Sequence, residues 1–226
     1  TLGQEFYAFA NQLKASINEL KQAEENLYTI NMGGTAIGTK LTAQKGFVEN
    51  CAKHLGEILK KKIVPAEDLI AATSDLSGFV VYSGALNTLS VRLSKIASDL
   101  ILLASGPRTG LFEINLPPLQ PGSSIMPGKV NPVIPELVNL VTFRVMGNDV
   151  AVTIAAKTGQ LQLNAYEPLA ISAILESQKL LTNTMKVFKT KCVDGITANE
   201  DIMKKYIDQS VGIVTALNPV LGYEKT

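Results

Sequence analysis

The chain has 226 residues, of which 46% are apolar, and this is enough to bury the core of one domain or slightly more. Its 21 basic and 20 acidic residues are interspersed and give a formal net charge of +1. This balance argues against nucleic acid or an anionic membrane as a partner, because both attract surfaces rich in positive charge.

The two cysteines, Cys51 and Cys192, lie far apart in apolar helical segments. Their spacing matches no metal site and is typical of buried free thiols in a reducing compartment. The sequence has no uninterrupted apolar stretch of about 18 residues, and its first residues do not resemble a signal peptide. We therefore expect a cytoplasmic protein.

The first part of the chain contains two predicted helices, residues 4–30 and 42–61, separated by a glycine-rich run. Apolar residues recur at seven-residue intervals in the first helix and at four-residue steps in the second. These stripes are Phe6, Leu13, Leu20 and Leu27, then Phe47, Cys51, Leu55 and Leu59. The only histidine, His54, lies beside the second stripe, where a surface or packing role is the usual one.

The glycine-rich run, residues 31–39, contains three glycines and could cradle a phosphate. It lacks the Lys-Ser/Thr ending of a P-loop, and no strand precedes it. Phosphate binding is therefore the weaker interpretation of this run.

The longest predicted helix covers about residues 77–105. Its apolar residues alternate steps of three and four, as in a coiled-coil seam. The seam consists of Phe79, Tyr82, Leu86, Leu89, Leu93, Ile96, Leu100 and Leu103. At 1.5 Å per residue such a helix is about 40 Å long. Ser105-Gly106-Pro107 then ends it.

Two more long helices are predicted, at about residues 134–157 and from Pro168 onwards. The first is apolar over most of its surface, yet it contains six polar residues that need partners inside a bundle. They are Asn139, Thr142, Arg144, Asn148, Asp149 and Thr153.

Three long helices with almost no strand signal predict an all-α fold built as a long-helix bundle. We expect residues 1–191 to form a central helical domain and residues 192–226 to begin a small C-terminal helical domain. Helix faces this apolar cannot all be covered within one chain of this size, so we expect a homo-oligomer. The seam of the 77–105 helix is expected to hold its subunits together.

The segment from Gly122 to Pro132, the signature loop, reads Gly-Ser-Ser-Ile-Met-Pro-Gly-Lys-Val-Asn-Pro. Its glycines and prolines exclude regular helix or strand. Helix resumes near Pro135, with Glu136 in the first turn, where acidic residues are favoured. A carboxylate can bind at such a helix start. The reactive side chains next to it are Ser123, Ser124, Lys129 and Asn131. A surface turn with a solvated lysine is the alternative.

This run resembles the signature of the aspartase/fumarase superfamily, whose members eliminate ammonia, water or an amine to give fumarate. Residues 159–164 (Gly-Gln-Leu-Gln-Leu-Asn), 195–199 (Gly-Ile-Thr-Ala-Asn) and 212–219 (Gly-Ile-Val-Thr-Ala-Leu-Asn-Pro) carry the same resemblance. They are more similar to aspartases than to fumarases, which usually differ in the Gln-Leu-Gln and Thr-Ala-Asn details. The resemblance spans nearly the whole chain. It implies elimination of ammonia from L-aspartate to give fumarate, with hydration of fumarate to malate as the alternative.

The resemblance also implies roles for individual residues. Ser123 matches the general base that removes the Cβ proton, and Lys129 and Asn131 match substrate ligands. Ser124 matches a lesser hydrogen-bonding position. Glu136 matches a glutamate that orients a histidine of another subunit. The family assembles as homotetramers with active sites shared between subunits, and its chemistry needs no cofactor.

Ser123 needs help from its surroundings to act as a base. A serine hydroxyl is a poor base unless its alkoxide is stabilised, so nearby backbone N–H donors and the charge of Lys129 are required. The flanking Gly122 is expected to let the loop approach a ligand closely.

Members of the superfamily also carry an N-terminal domain and a Thr-His pair that do not occur in these 226 residues. We therefore expect a central fragment of a longer chain, inactive by itself. Two interpretations from other classes remain. One is a non-catalytic helical scaffold, which would leave the loop residues without a use. The other is a phosphate- or nucleotide-binding protein that uses Gly33 and Gly34.

Overall fold

Long α-helices make up most of the computed structural model, which describes residues 1–120, 122, 125, 126 and 128–225, without the side chains of residues 213 and 225. The helices in this part of the chain are α1 (Leu2–Glu25), α2 (Phe47–Leu59), α3 (Leu69–Ser74), α4 (Ser77–Leu103), α5 (Val133–Lys157), α6 (Glu167–Lys191), α7 (Glu200–Asp208) and α8 (Asn218–Leu221). The strands are β1 (Thr29–Ile30), β2 (Val64–Pro65), β3 (Ile114–Asn115) and β4 (Thr197–Ala198).

The strands form two separate pairs that tie loop segments together. β1 runs parallel to β2, with Thr29 opposite Val64. β3 runs antiparallel to β4, with Ile114 opposite Ala198. Each strand has two residues, and no longer strand occurs among the described residues. The predicted all-α fold is confirmed.

Two compact units can be distinguished within the chain. The first contains Thr1–Ile96 and Val138–Met185, and the second contains Ala97–Leu137 and Lys186–Thr226. Each unit therefore combines segments that are distant in sequence. The predicted domain boundary between residues 191 and 192 stays a prediction.

The predicted seam of α4 lies in the core of this chain. Leu86, Leu89, Leu93, Ile96 and Leu100 are all buried, with Leu93 2% and Leu100 1% exposed. The helix also begins and ends close to the predicted positions. Because residues of the same chain already cover Leu93 and Leu100, the expectation that these two side chains hold subunits together is wrong.

The helix α1 buries a different stripe from the predicted one. Phe9, Ser16 and Ala23 are its buried residues, and the helix ends at Glu25 instead of residue 30. The reason is a contact with α4: the guanidinium of Arg92 donates to Ser16 Oγ at 2.6 Å and forms an ion pair with Glu19, also at 2.6 Å. The small Ser16 therefore faces inwards, although its hydroxyl makes it a poor candidate for a core residue by sequence.

The helix α2 also differs from its predicted form. It spans Phe47–Leu59 instead of residues 42–61, and its buried residues are Val48 and Ala52. Phe47 and Leu59, which belong to the predicted apolar stripe, are about half exposed. The stripe therefore does not mark the buried face of this helix.

Asn148 and Asp149, two of the polar residues of α5, have partners within the first compact unit, as predicted. Ser83 Oγ donates to Asp149 Oδ1 at 2.6 Å, and Asn87 Nδ2 donates to Asp149 Oδ2 at 2.8 Å. Asn148 Nδ2 donates to Glu176 Oε2 at 2.8 Å and to Ser177 Oγ at 3.1 Å. These bonds link α5 to α4 on one side and to α6 on the other.

The apolar residues of α5 are only partly covered. Leu140, Phe143, Val150 and Ile154 are each at least half exposed. By length and composition alone, α5 is the one helix among the described residues that is long and apolar enough to cross a membrane, with a mean hydropathy of 1.3. Its hydrogen-bonded Asn148 and Asp149 are typical of a helix packed inside protein. The described residues therefore leave one apolar face of α5 exposed.

Candidate active site

The signature loop is closed at its base by a contact between Gly122 and Lys129. The amide of Gly122 donates to the carbonyl oxygen of Lys129 at 2.6 Å. The two residues are so close that a Cβ on Gly122 would lie 2.7 Å from that oxygen. Gly122 therefore lets the loop approach its own backbone, which is a different role from the expected approach to a ligand.

Asn131 reinforces the same contact. Its side-chain Nδ2 donates to the carbonyl oxygen of Gly122 at 3.4 Å. Its own carbonyl oxygen accepts from the amide of Val133 at 2.9 Å, at the first residue of α5. Asn131 thus connects the base of the loop to the beginning of a long helix.

Lys129 and Glu136 both present charged groups to solvent. Lys129 is exposed, and its amide donates to Met126 O at 3.2 Å. Glu136 is exposed in the first turn of α5, directly after the buried Pro135. The acidic side chain and the proline occupy the first-turn positions that the sequence predicted.

Two of the predicted site residues, Ser123 and Ser124, lie outside the described residues. The structure therefore brings together Lys129, Asn131 and the glycine that precedes Ser123, and places Glu136 on the helix that follows. The assignments of Ser123, Ser124, Lys129, Asn131 and Glu136 stay predictions.

A small cavity lies beside the loop in the second compact unit. Its volume is about 10 Å³, and its lining includes Asn131, Pro132, Pro135 and Cys192. A space of this size holds at most about one water molecule, so it is not a substrate pocket. Burial raises the pKa of the Cys192 thiol to about 11, which keeps the sulfur protonated and unreactive at neutral pH.

The glycine-rich run of residues 31–39 has a packing role. Gly38 has a φ of +88°, and a Cβ there would collide with the backbone of Leu69 and Ile70. Close packing against the start of α3 therefore accounts for this glycine. His54 is exposed on α2, and its Nδ1 lies 3.1 Å from Glu57 Oε2.

Sequence reasoning had no means of finding the contact between Gly122 and Lys129. The composition of the loop excludes helix and strand, but it does not select one of the many loop conformations that remain. The presence of glycine directly before the serine pair was the only local signal. Within the described residues, no group of three or more His, Cys, Asp or Glu side chains could hold a metal ion.

Comparison with known proteins shows that the chain is similar to lyases. A family model described as lyase matches residues 1–147. The aspartate ammonia-lyase of Pseudomonas aeruginosa is 53% identical over 227 residues, a match that covers all of this chain and 48% of that protein. The chain thus spans about half the length of the curated relatives it matches.

Solved structures agree with the fold. A fumarate lyase:delta crystallin from Brucella melitensis has a TM-score of 0.94 at 49% identity, covering 99% of this chain and 49% of that one. A class II fumarase from Schistosoma mansoni has a TM-score of 0.91 at 35% identity, covering 98% and 50%. The predicted resemblance to the aspartase/fumarase superfamily is confirmed. Because the family model matches well over half of the residues, this chain belongs to the lyase family.

Proposed function

We propose that the complete gene product containing this chain is an aspartate ammonia-lyase that converts L-aspartate to fumarate and ammonia. The observation that carries the proposal is the 53% identity with the Pseudomonas aeruginosa aspartate ammonia-lyase, which extends over the entire chain. The Schistosoma mansoni class II fumarase is 35% identical over almost the same length. This difference favours ammonia elimination over the hydration of fumarate.

The proposed reaction begins with removal of a proton from Cβ of aspartate. The alkoxide of Ser123 takes this proton and becomes a hydroxyl, and the electron pair of the broken C–H bond moves into the adjacent carboxylate to give a dianion. Lys129 stabilises the additional negative charge, because a positive group near the developing charge lowers the barrier. The electron pair then forms the Cα–Cβ double bond of fumarate while the C–N bond breaks and ammonia leaves.

Two observations support this role for Lys129. Its side chain is exposed, so a substrate can reach the ammonium group. The loop also leads directly into the N-terminus of α5, and the positive end of a helix dipole favours an anion. Ser124 and Asn131 would add hydrogen bonds to the substrate, and Glu136 would orient a histidine from another subunit.

A homotetramer is part of this proposal. The exposed apolar residues on α5 form one side of a long helix, and a second copy of the chain can cover them. Sharing of sites between subunits would explain why the cavity beside the loop is too small for aspartate. Accordingly, we propose that these 226 residues alone are inactive. Lyase activity in a preparation shown by mass spectrometry to contain only this chain would contradict that.

A cytoplasmic location is proposed from the cysteines. Cys51 and Cys192 are both free, and Cys192 is buried. Such thiols persist in a reducing compartment. Cell fractionation with an antibody against the gene product tests the location directly.

The first test of function is a fumarate assay on the complete gene product with aspartate, malate and argininosuccinate offered in parallel. We expect fumarate from aspartate alone. Fumarate from malate would instead support a fumarase. No product from any of the three would favour a non-catalytic relative.

The second test addresses the assignment of Ser123 as the general base. In Ser123→Ala, kcat should fall by about 10²–10⁴, the usual loss for a positioned general base, while aspartate still binds. Exchange of the substrate Cβ proton with deuterated solvent should slow in parallel. If Ser123→Ala exchanges this proton at the parent rate, another residue is the base. Ser124→Ala is the matched control and should lose much less activity.

A further inference from the structure

We propose that an open groove on α2 binds a medium-chain fatty acid, a ligand with one carboxylate head and a flexible alkyl chain. The groove has a volume of about 450 Å³ and is lined by α2 and by residues of the segment that precedes it. All of its lining residues belong to the first compact unit, and none belongs to the signature loop. The inference therefore does not depend on the reaction proposed above.

The first observation is an apolar face of α2 that its own fold leaves uncovered. The stripe predicted from the sequence contributes Phe47, Cys51 and Leu55 to the groove, and Met32 and Ile58 complete its apolar lining. Ile58 is 76% exposed, and Phe47 and Met32 are each 48% exposed. Apolar side chains gain free energy when they leave water, so a ligand with an apolar body is favoured here.

The second observation is that the polar lining lies at one end of the groove. Gln44, Lys45 and Asn50 lie near the N-terminus of α2, whereas Leu55 and Ile58 lie in its last turns. All three polar side chains are exposed, and none of them has a hydrogen bond or ion pair with a described residue. Their ammonium and amide groups are therefore available to a ligand head group.

The third observation is the sign of the charge at this end. Lys45 places an ammonium group on the lining, and neither acidic residue of α2, Glu49 or Glu57, is part of it. Glu57 instead pairs with His54, whose Nδ1 lies 3.1 Å from Glu57 Oε2. One ammonium group together with amide donors suits a single carboxylate, because hydrogen bonds to a charged acceptor are the strong ones.

The size of the groove favours a small molecule over a protein partner. Its volume falls within the range of about 300–1,000 Å³ that ligand sites span. A protein interface of ordinary size needs about 20–30 residues a side, whereas nine residues line this groove. Its lining extends from Phe47 to Ile58, about 16 Å along the helix. An elongated groove with its polar groups at one end matches an alkyl chain with one charged head.

The first experiment titrates the complete gene product with octanoate, decanoate and dodecanoate, each below the concentration at which it forms micelles. Calorimetry measures Kd, which should fall about tenfold for every two carbons, because burial of each methylene group strengthens binding. Decanol has the same chain without the charge and should bind about fivefold more weakly than decanoate. No saturable binding of decanoate, or equal Kd values for decanol and decanoate, would overturn the proposal.

Lys45→Met tests the head-group contact. It should raise Kd for decanoate about fivefold and leave Kd for decanol within about twofold of the parent value, because only decanoate carries a charge. Lys53→Met is the matched control, since Lys53 is exposed on the same helix but does not line the groove. A parent Kd for decanoate in Lys45→Met would overturn the assignment of the carboxylate to this end.

Ile58→Asn tests the contact with the alkyl chain. It should weaken decanoate and decanol to the same extent, by about tenfold, because both bury their chains against this residue. Leu59→Asn is the control, since Leu59 is also exposed on α2 but is not part of the lining. Circular dichroism checks that each variant folds. Equal effects of the two substitutions would overturn the placement of the chain in the groove.

Cys51 reports directly on occupancy of the groove. It is partly exposed and lines the groove, whereas Cys192 is buried and serves as the internal reference. Decanoate at about ten times its Kd should slow labelling of Cys51 by N-ethylmaleimide about tenfold, because only the empty groove reacts. Unchanged labelling would place the ligand elsewhere and overturn the proposal. If Cys51 does not react in the ligand-free protein, another part of the assembly covers the groove, and the proposal is equally overturned.

Discussion

The helices α4 and α5 are similar in length and strongly apolar, yet this chain covers them to different extents. The seam of α4 is buried, with Leu93 and Leu100 at most 2% exposed. On α5, Leu140 is 66% and Phe143 is 58% exposed. The seam of α4 therefore stabilises the fold of this chain, whereas the outer face of α5 is available to another molecule. An apolar pattern alone does not distinguish these two uses.

The largest expected effect comes from the α4 seam. Replacing Leu93 and Leu100 together by Lys should prevent folding, because each side chain lies in a core where even Leu→Ala costs about 2–5 kcal/mol. Circular dichroism during urea unfolding measures the effect. Val91→Lys is the control on the same helix, since Val91 is exposed, and it should fold. A folded double variant that has lost only its oligomeric state would reverse our comparison.

Polar substitution on α5 should affect assembly instead of folding. Leu140→Gln combined with Phe143→Gln should leave the helical content unchanged and dissociate the proposed homotetramer. Burial of one large apolar side chain contributes about 1.5–3 kcal/mol, so the pair should lower the association constant by at least about 100-fold. Light scattering gives the mass and circular dichroism the fold. Leu161→Gln, in an exposed loop, is the control. Retention of the oligomer would exclude this face as the contact.

The polar bonds between α4 and α5 should contribute less than the seam. Asp149→Ala removes the acceptor for Ser83 and Asn87, and an unpaired buried donor costs about 1–3 kcal/mol. Asn87→Ala is the matched control. Its Oδ1 is buried and has no partner among the described residues, so removing this side chain should cost less than removing Asp149. Equal losses in urea unfolding would show that the bond from Ser83 to Asp149 adds nothing to stability.

The smallest expected effect is the response to acid of two surface ion pairs. The hydrogen bond from Arg92 of α4 lowers the pKa of Glu19, and that from Asn148 of α5, with a further one from Arg144, lowers the pKa of Glu176. A carboxyl whose pKa is lowered by folding stabilises the fold at pH values above the ordinary pKa of a glutamate, near 4.5. This stabilisation is lost as the pH falls through the lowered pKa.

Acid unfolding of Glu19→Gln and Glu176→Gln tests this pH dependence. When the pH is lowered from neutral to below the ordinary carboxyl pKa, the free energy of unfolding should fall less in each variant than in the parent. The difference should be small, because solvent screens exposed ion pairs. A variant with the acid dependence of the parent would show that its ion pair makes no contribution.

The sequence predicted the helices well where one local pattern extends over many turns. Steps of three and four along α4 identify its seam because residues with that spacing share one face of a helix. Asn148 and Asp149 of α5 also have the partners that the sequence predicted, since buried hydrogen-bonding groups inside a bundle are usually paired. The composition of residues 122–132 predicted a loop, as the described residues of this segment show, and the chemistry assigned to it stays a prediction.

Tertiary structure decided which face each helix turns inwards. The Arg92 guanidinium brings Ser16 into the core of α1, and no property of Ser16 itself predicts this. It also decided that the α4 seam belongs to one chain and that Gly122 bonds to Lys129 at the base of the signature loop. Periodicity and composition are local properties of the sequence, whereas these contacts depend on which distant or neighbouring groups meet when the chain folds.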